Sequence, residues 1–100
     1  MTIQTFMAGK LEDIKIMIAK ELPDKFDSHD FIRCFSKKFE LDYAQLLRNY
    51  DVKPFRNLHA QIALSLVKYM EDLKIQKNGK VESQSIFGNE VENEEWIKVK

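Results

Sequence analysis

Three side chains limit what chemistry this chain could do: His29, Cys34 and His59 are its only histidines and cysteine. A zinc site needs three or four ligands at suitable spacing, and no C-x-x-C or H-x-x-x-H pair is present. His29 and Cys34 are five positions apart, which turns them to different sides of a helix. No metal site and no cofactor are expected. Cys34 stands between Phe31 and Phe39, where a thiol behaves as a small core residue. A reactive thiol would need an electropositive, partly open setting. Ser83 and Ser85 lie in no nucleophile motif, and Gly9, Gly79 and Gly88 are too scattered to cradle a phosphate. The acidic run Glu90–Glu95 reads as solvated, because acid–base work by paired carboxylates needs one of them in an apolar pocket. The expectation is no catalytic residue, no small-molecule substrate and no enzyme.

Binding is the chemistry that remains, and charge divides it into two candidates. The 100 residues carry no net charge, which argues against a strongly electrostatic nucleic-acid binder. The distribution is nevertheless uneven. Between Lys53 and Lys80 stand six cations against Glu71 and Asp72, whereas Glu82 to Glu95 holds five glutamates and no cation. The first stretch supports a local basic patch. The second surrounds an apolar pair, Ile86-Phe87, on an otherwise polar segment, the pattern of a contact anchor or of a plug returned to the core.

These candidates must be positioned by one domain, since 100 residues bury a single core with a thin margin. A hydrophobic share of 44% with seven phenylalanines is a globular composition. The lone cysteine excludes an internal disulfide and suits a reducing compartment. The first residues lack a basic stretch followed by an apolar run, and no apolar stretch nears the roughly 20 residues of a membrane span. A cytoplasmic protein without membrane contact is expected.

Along the chain, residues 1–9 form an N-terminal segment with little pattern beyond Ile3, Phe6 and Met7. Residues 10–73 read as a helical core. Leu11, Ile14, Met17, Ile18 and Leu22 recur at helical spacing until Pro23 ends the run. Asp27 or Ser28 can cap a second helix, with Asp30 at its positive end and Phe31, Ile32, Phe35 and Phe39 on its apolar face. Asp42 is a candidate cap for a third, striped by Tyr43, Leu46, Leu47 and Tyr50; whether a turn separates it from the second is left open. "DVKPFRN" is a connector, and Asn57 is expected to cap a fourth helix striped by Leu58, Ile62, Leu66, Tyr69/Met70 and Leu73.

Residues 73–100 lean to β structure. Asn78-Gly79 is the preferred pair for a two-residue hairpin turn. That register, however, opposes Lys77 to Lys80 and Ile75 to Glu82, so a tight hairpin is disfavoured. Two short strands near 73–76 and 95–99 pair better, laying Leu73, Ile75, Ile97 and Val99 on the helices. Asn78-Gly79 then becomes a turn inside a long acidic loop, where Asn89–Glu92 has the spacing of a capping box and can start one helical turn. The expected fold is mainly α: four helices, then two short antiparallel strands enclosing a long loop.

That order resembles the winged helix-turn-helix arrangement over about three-quarters of the chain. "DFIRCFSKKF" corresponds to the scaffold helix, "DYAQLLRNY" to the first helix of the motif and "VKPFR" to its turn. "NLHAQIALSLVKYM" corresponds to the recognition helix and residues 77–94 to the wing. The resemblance implies a DNA or RNA partner met by the start of the 57–71 helix, through Arg56, Asn57, His59 and Gln61, with Lys74, Lys77 and Lys80 reaching phosphates. The bland reading keeps Asn57 as a cap, His59 and Gln61 solvated, and the lysines as guards of an edge strand. The second functional expectation is a protein-interaction or accessory subunit that uses the acidic loop 82–95, through Ile86, Phe87, Glu90 and Glu92, toward a protein partner or a second copy.

Overall fold

The computed structural model describes residues 2–84 and 90–99, and among them five helices and a three-stranded antiparallel sheet. The elements are α1 (Ile3–Gly9), α2 (Leu11–Glu21), β1 (Lys25–Asp27), α3 (Ser28–Lys38), α4 (Glu40–Leu47), α5 (Pro54–Lys68), β2 (Ile75–Gln84) and β3 (Glu90–Lys98). The sheet order is β1-β3-β2. Two elements exceed the expectation from sequence. Residues 3–9 are a helix because the Thr2 hydroxyl accepts the Thr5 amide and because Ile3, Phe6 and Met7 are buried together. β1 is too short to announce itself, and it exists because Phe26 is buried beside Trp96 in the β1–β3 register.

The helical core follows its apolar stripes. Ile14, Met17 and Ile18 bury one face of α2. Its last carbonyls receive Lys98 Nζ, at 2.5 Å from Leu22 and 3.3 Å from Ala19, so a cation from β3 closes the negative end of the helix. α3 starts in a full capping box: the Asp30 amide donates to Asp27 Oδ1 at 2.8 Å and the Asp27 amide to Asp30 Oδ2 at 3.1 Å. Its face Phe31, Ile32 and Phe35 is buried, and Phe6, Phe35 and Phe39 meet with ring centroids 5.3–5.8 Å apart. A real break separates α3 from α4 at Phe39, whose φ of −113° and ψ of 48° leave the helical range. Asp42 therefore falls inside the first turn of α4 and does not cap it.

α5 begins three residues earlier than Asn57. Pro54 occupies its first turn, where a missing N–H costs nothing, and Lys53 before it takes a left-handed φ of 44°. Asn57 lies inside the helix, its amide donating to Lys53 O at 3.0 Å and its side chain to Val52 O at 2.6 Å. Leu58, Ile62 and Leu66 are fully buried as the stripe predicts, with Ser65 tucked between them by a 2.8 Å bond to Gln61 O.

The C-terminal part is more regular than a loop between short strands. β2 and β3 pair from Ile75↔Lys98 to Gln84↔Glu90 as one long hairpin. Glu90–Glu92, expected in a helical turn begun at Asn89, are strand; Asn89 itself lies outside the described residues. Asn78-Gly79 is not a tip. Lys77 pairs with Trp96 and Lys80 with Glu94, so Asn78 and Gly79 oppose Glu95 alone as a β-bulge. Gly79 has φ +87°, a conformation that costs glycine little. Leu73 and Ile75 are buried, but Val99 is 46% exposed and Ile97 only half-buried. The strand instead turns Trp96 inward, fully buried, with its indole N–H donating to Ser28 Oγ at 3.1 Å. Trp96 outweighs Ile97 and Val99 in buried area, and strand alternation sends those two the other way.

Candidate interaction surface

α5 presents two apolar stripes on opposite sides. At 3.6 residues per turn, Leu58, Ile62, Ser65 and Leu66 share the side that faces the core. Ala60, Ala63, Leu64 and Val67 share the other, where Leu64 is 57% and Val67 37% exposed. The β2–β3 hairpin stands beside this outward stripe and forms the second wall of a groove of about 450 Å³. Lys80, Glu92, Asn93, Glu94 and the edge of Trp96 line that wall.

The hairpin is held in place by a polar clasp to the start of α3. His29 Nδ1 is 2.8 Å from Ser83 Oγ, and the His29 amide donates to Asn93 Oδ1 at 3.1 Å. Asn93 Nδ2 in turn donates to Ser83 Oγ at 3.0 Å and Val81 O at 3.1 Å. Arg33 Nη2 adds a bond to Gln84 O at 3.3 Å. A serine beside a histidine invites comparison with a nucleophile and its base. Here Asn93 bonds both partners, and the trio ties β2 and β3 to α3.

The charge segregation seen along the chain folds onto itself. Lys77 pairs with Glu94 at 3.4 Å and Lys80 with Glu92 at 4.0 Å, while Asn78 Nδ2 donates to Glu95 Oε1 at 2.6 Å. Two of the six cations of the basic stretch, Lys77 and Lys80, thus face glutamates of the acidic stretch across the hairpin. Glu82 and Glu92 nevertheless sit directly opposite each other, an unfavourable like-charge pair.

The residues expected to face nucleic acid do not form one patch. Arg56 is exposed at the start of α5, whereas Lys74 follows its far end, about 22 Å along a helix of this length. Lys77 and Lys80 are in the hairpin pairs just described. His59 is half-buried and turned to α4, its Nε2 2.5 Å from the Tyr43 hydroxyl. Burial, with the nearby charge of His29 as a smaller cause, lowers the His59 pKa below its ordinary 6.5. Burial likewise raises that of Tyr43. Gln61 is half-buried and gives its carbonyl to Ser65. Of the alternative set, Ile86 and Phe87 lie outside the described residues, Glu90 opens β3, and Glu92 is exposed on the groove wall.

Cys34 is half-buried in a shallow depression with Glu21, Asp30, Arg33 and Lys37. Burial first, then the Glu21 carboxylate at 3.5 Å, pushes its thiol up to about 11, away from the thiolate. Among the described residues no three His, Cys, Asp or Glu side chains lie close enough to hold a metal ion, and no helix is long and apolar enough to cross a membrane. Comparison of the chain with protein-family models, with curated proteins and with solved structures found no match.

The outward stripe of α5 is what reasoning from sequence passed over. Ala60, Leu64 and Val67 have helical spacing as plain as that of Leu58, Ile62 and Leu66. One stripe per helix is the usual expectation for a surface helix, so the second was absorbed into the solvated side.

Proposed function

We propose that this chain is a protein-interaction module that binds through the outward stripe of α5 and the adjoining wall of the β2–β3 hairpin. The observation that carries this reading is Leu64, 57% exposed in the middle of an apolar helix face beside a groove. A groove between a helix and a hairpin, apolar at its floor and polar at its rim, has the make-up of a protein contact. The clasp of His29, Ser83 and Asn93 fits the same use, because it fixes the hairpin wall before a partner arrives. A nucleic-acid surface would need several free cations on this side, whereas the two hairpin lysines there face glutamates and Arg56 stands alone at the end of the stripe.

A photo-crosslinking residue at position 64, with one at Lys37 on α3 as control, tests the reading in cells producing the chain. Discrete protein adducts at 64 and none at 37 are expected. Adducts to nucleic acid, or equal labelling at both positions, would contradict it.

A further inference from the structure

We infer that the partner of this surface is a second copy of the chain, packed α5 against α5 in an antiparallel, two-fold arrangement. The inference rests on the reading of the outward stripe as a protein contact, and it comes from the order of residues along that stripe. Two rows at four-residue spacing run side by side: Arg56, Ala60, Leu64 and Ala63, Val67, Glu71. Glu71 follows the second row in sequence, three residues past the end of α5, in a turn that the Leu73 amide closes on Tyr69 O at 2.9 Å.

The two rows complement each other when one is reversed. A two-fold axis through the point between Ala63 and Leu64 sets Arg56 against the second copy's Glu71 and Ala60 against the second copy's Val67. Leu64 then meets the second copy's Ala63. Cation meets anion and large side chain meets small at each step, and every contact occurs twice. A two-fold interface requires this self-complementarity, with residue i on j and j on i; a different protein requires no such relation within the stripe. Arg56, Ala60, Leu64 and Glu71 are exposed, so the surface is open to a second copy. The alanines let two helix axes approach toward the close end of the usual range, about 8 Å. The groove beside β3 leaves room for the side of the incoming helix.

A contact made of a few apolar side chains and two exposed ion pairs lies at the weak end of protein association, so dissociation is expected in about the micromolar range. Sedimentation equilibrium from about 5 to about 500 µM brackets this range. The wild-type chain is expected to pass from monomer to a dimer of twice its mass. Leu64→Glu should raise the dissociation constant about 30-fold or more. Arg56→Glu and Glu71→Arg should each raise it by about tenfold, while the double variant returns to within about threefold of wild type. Unchanged circular dichroism and melting in each variant confirm that it is folded. A wild-type chain that stays monomeric throughout, a Leu64→Glu chain that still dimerises, or a double variant without recovery overturns the inference. An adduct at position 64 to a different protein, with a monomeric chain, leaves the contact surface standing and removes only the second copy; no adduct there removes both.

Discussion

α3 and α5 are the two central helices of this fold, and they differ in what they do with their outer sides. α3 buries Phe31, Ile32 and Phe35 and turns Arg33, Lys37 and Lys38 outward. α5 buries Leu58, Ile62 and Leu66 and turns Ala60, Leu64 and Val67 outward as well. A single apolar stripe is accounted for by folding. A second stripe on the opposite side leaves Leu64 and Val67 partly open to solvent, and this is the feature on which the proposed contact rests. The helices also begin differently. α3 is anchored by the reciprocal Asp27–Asp30 cap, whereas α5 starts on Pro54 after a left-handed Lys53, without a side-chain cap bond.

The contrast can be broken at its strongest point first. Phe35→Ala on α3 and Leu66→Ala on α5 should both remove about 2–5 kcal/mol, measured by urea unfolding, because each empties a fully buried site. A small loss for Leu66→Ala would mean that the inner stripe of α5 is not core. The helix starts come next. Asp27→Ala should cost about 1 kcal/mol through loss of the capping box. A neutral result there would erase the difference between the two helix starts.

The smallest expected effect is that of pH. His59 on α5 has a lowered pKa in the fold, so the unfolded chain takes up the proton first as pH falls below 6.5. Its contribution is complete above 6.5 and is lost as pH drops toward the lowered folded value. The urea midpoint should therefore decline across that window, and His59→Gln should flatten the decline. A midpoint that rises as the medium is acidified would contradict the burial of His59.

Much of the helical architecture was legible because its stripes are made of large residues at regular spacing: Ile14/Met17/Ile18, Phe31/Ile32/Phe35 and Leu58/Ile62/Leu66 all lie where the period puts them. The misses have local causes. Residues 3–9 are a helix too short to show a period, and their cap, Thr2, is one residue from the start of the chain. Pro54 does keep Lys53 out of the helix, but it is itself at home in the first helical turn, so α5 starts at Pro54 and Asn57 is not its cap. Ile97 and Val99 point to the wrong strand face at the C-terminus, because Trp96 alone offers more surface to bury. The mismatch of Ile75 with Glu82 already excludes Asn78-Gly79 as a hairpin tip, but a bulge of two residues against Glu95 is invisible until the register of the whole hairpin is known. The proposed contact surface was the least legible part. Charge drew attention to the lysines and glutamates, and pairing across the hairpin is a property of the fold alone.

The central claim is that the two apolar stripes of α5 have different work, one inside the fold and one outside it. The urea midpoint of Leu64→Glu, taken on dilute protein where self-association does not contribute, tests this most directly. An unfolding free energy within about 0.5 kcal/mol of wild type is the predicted result, as for surface substitutions in general. A collapse comparable to that of Leu66→Ala would place Leu64 in the chain's own core and leave α5 with a single stripe.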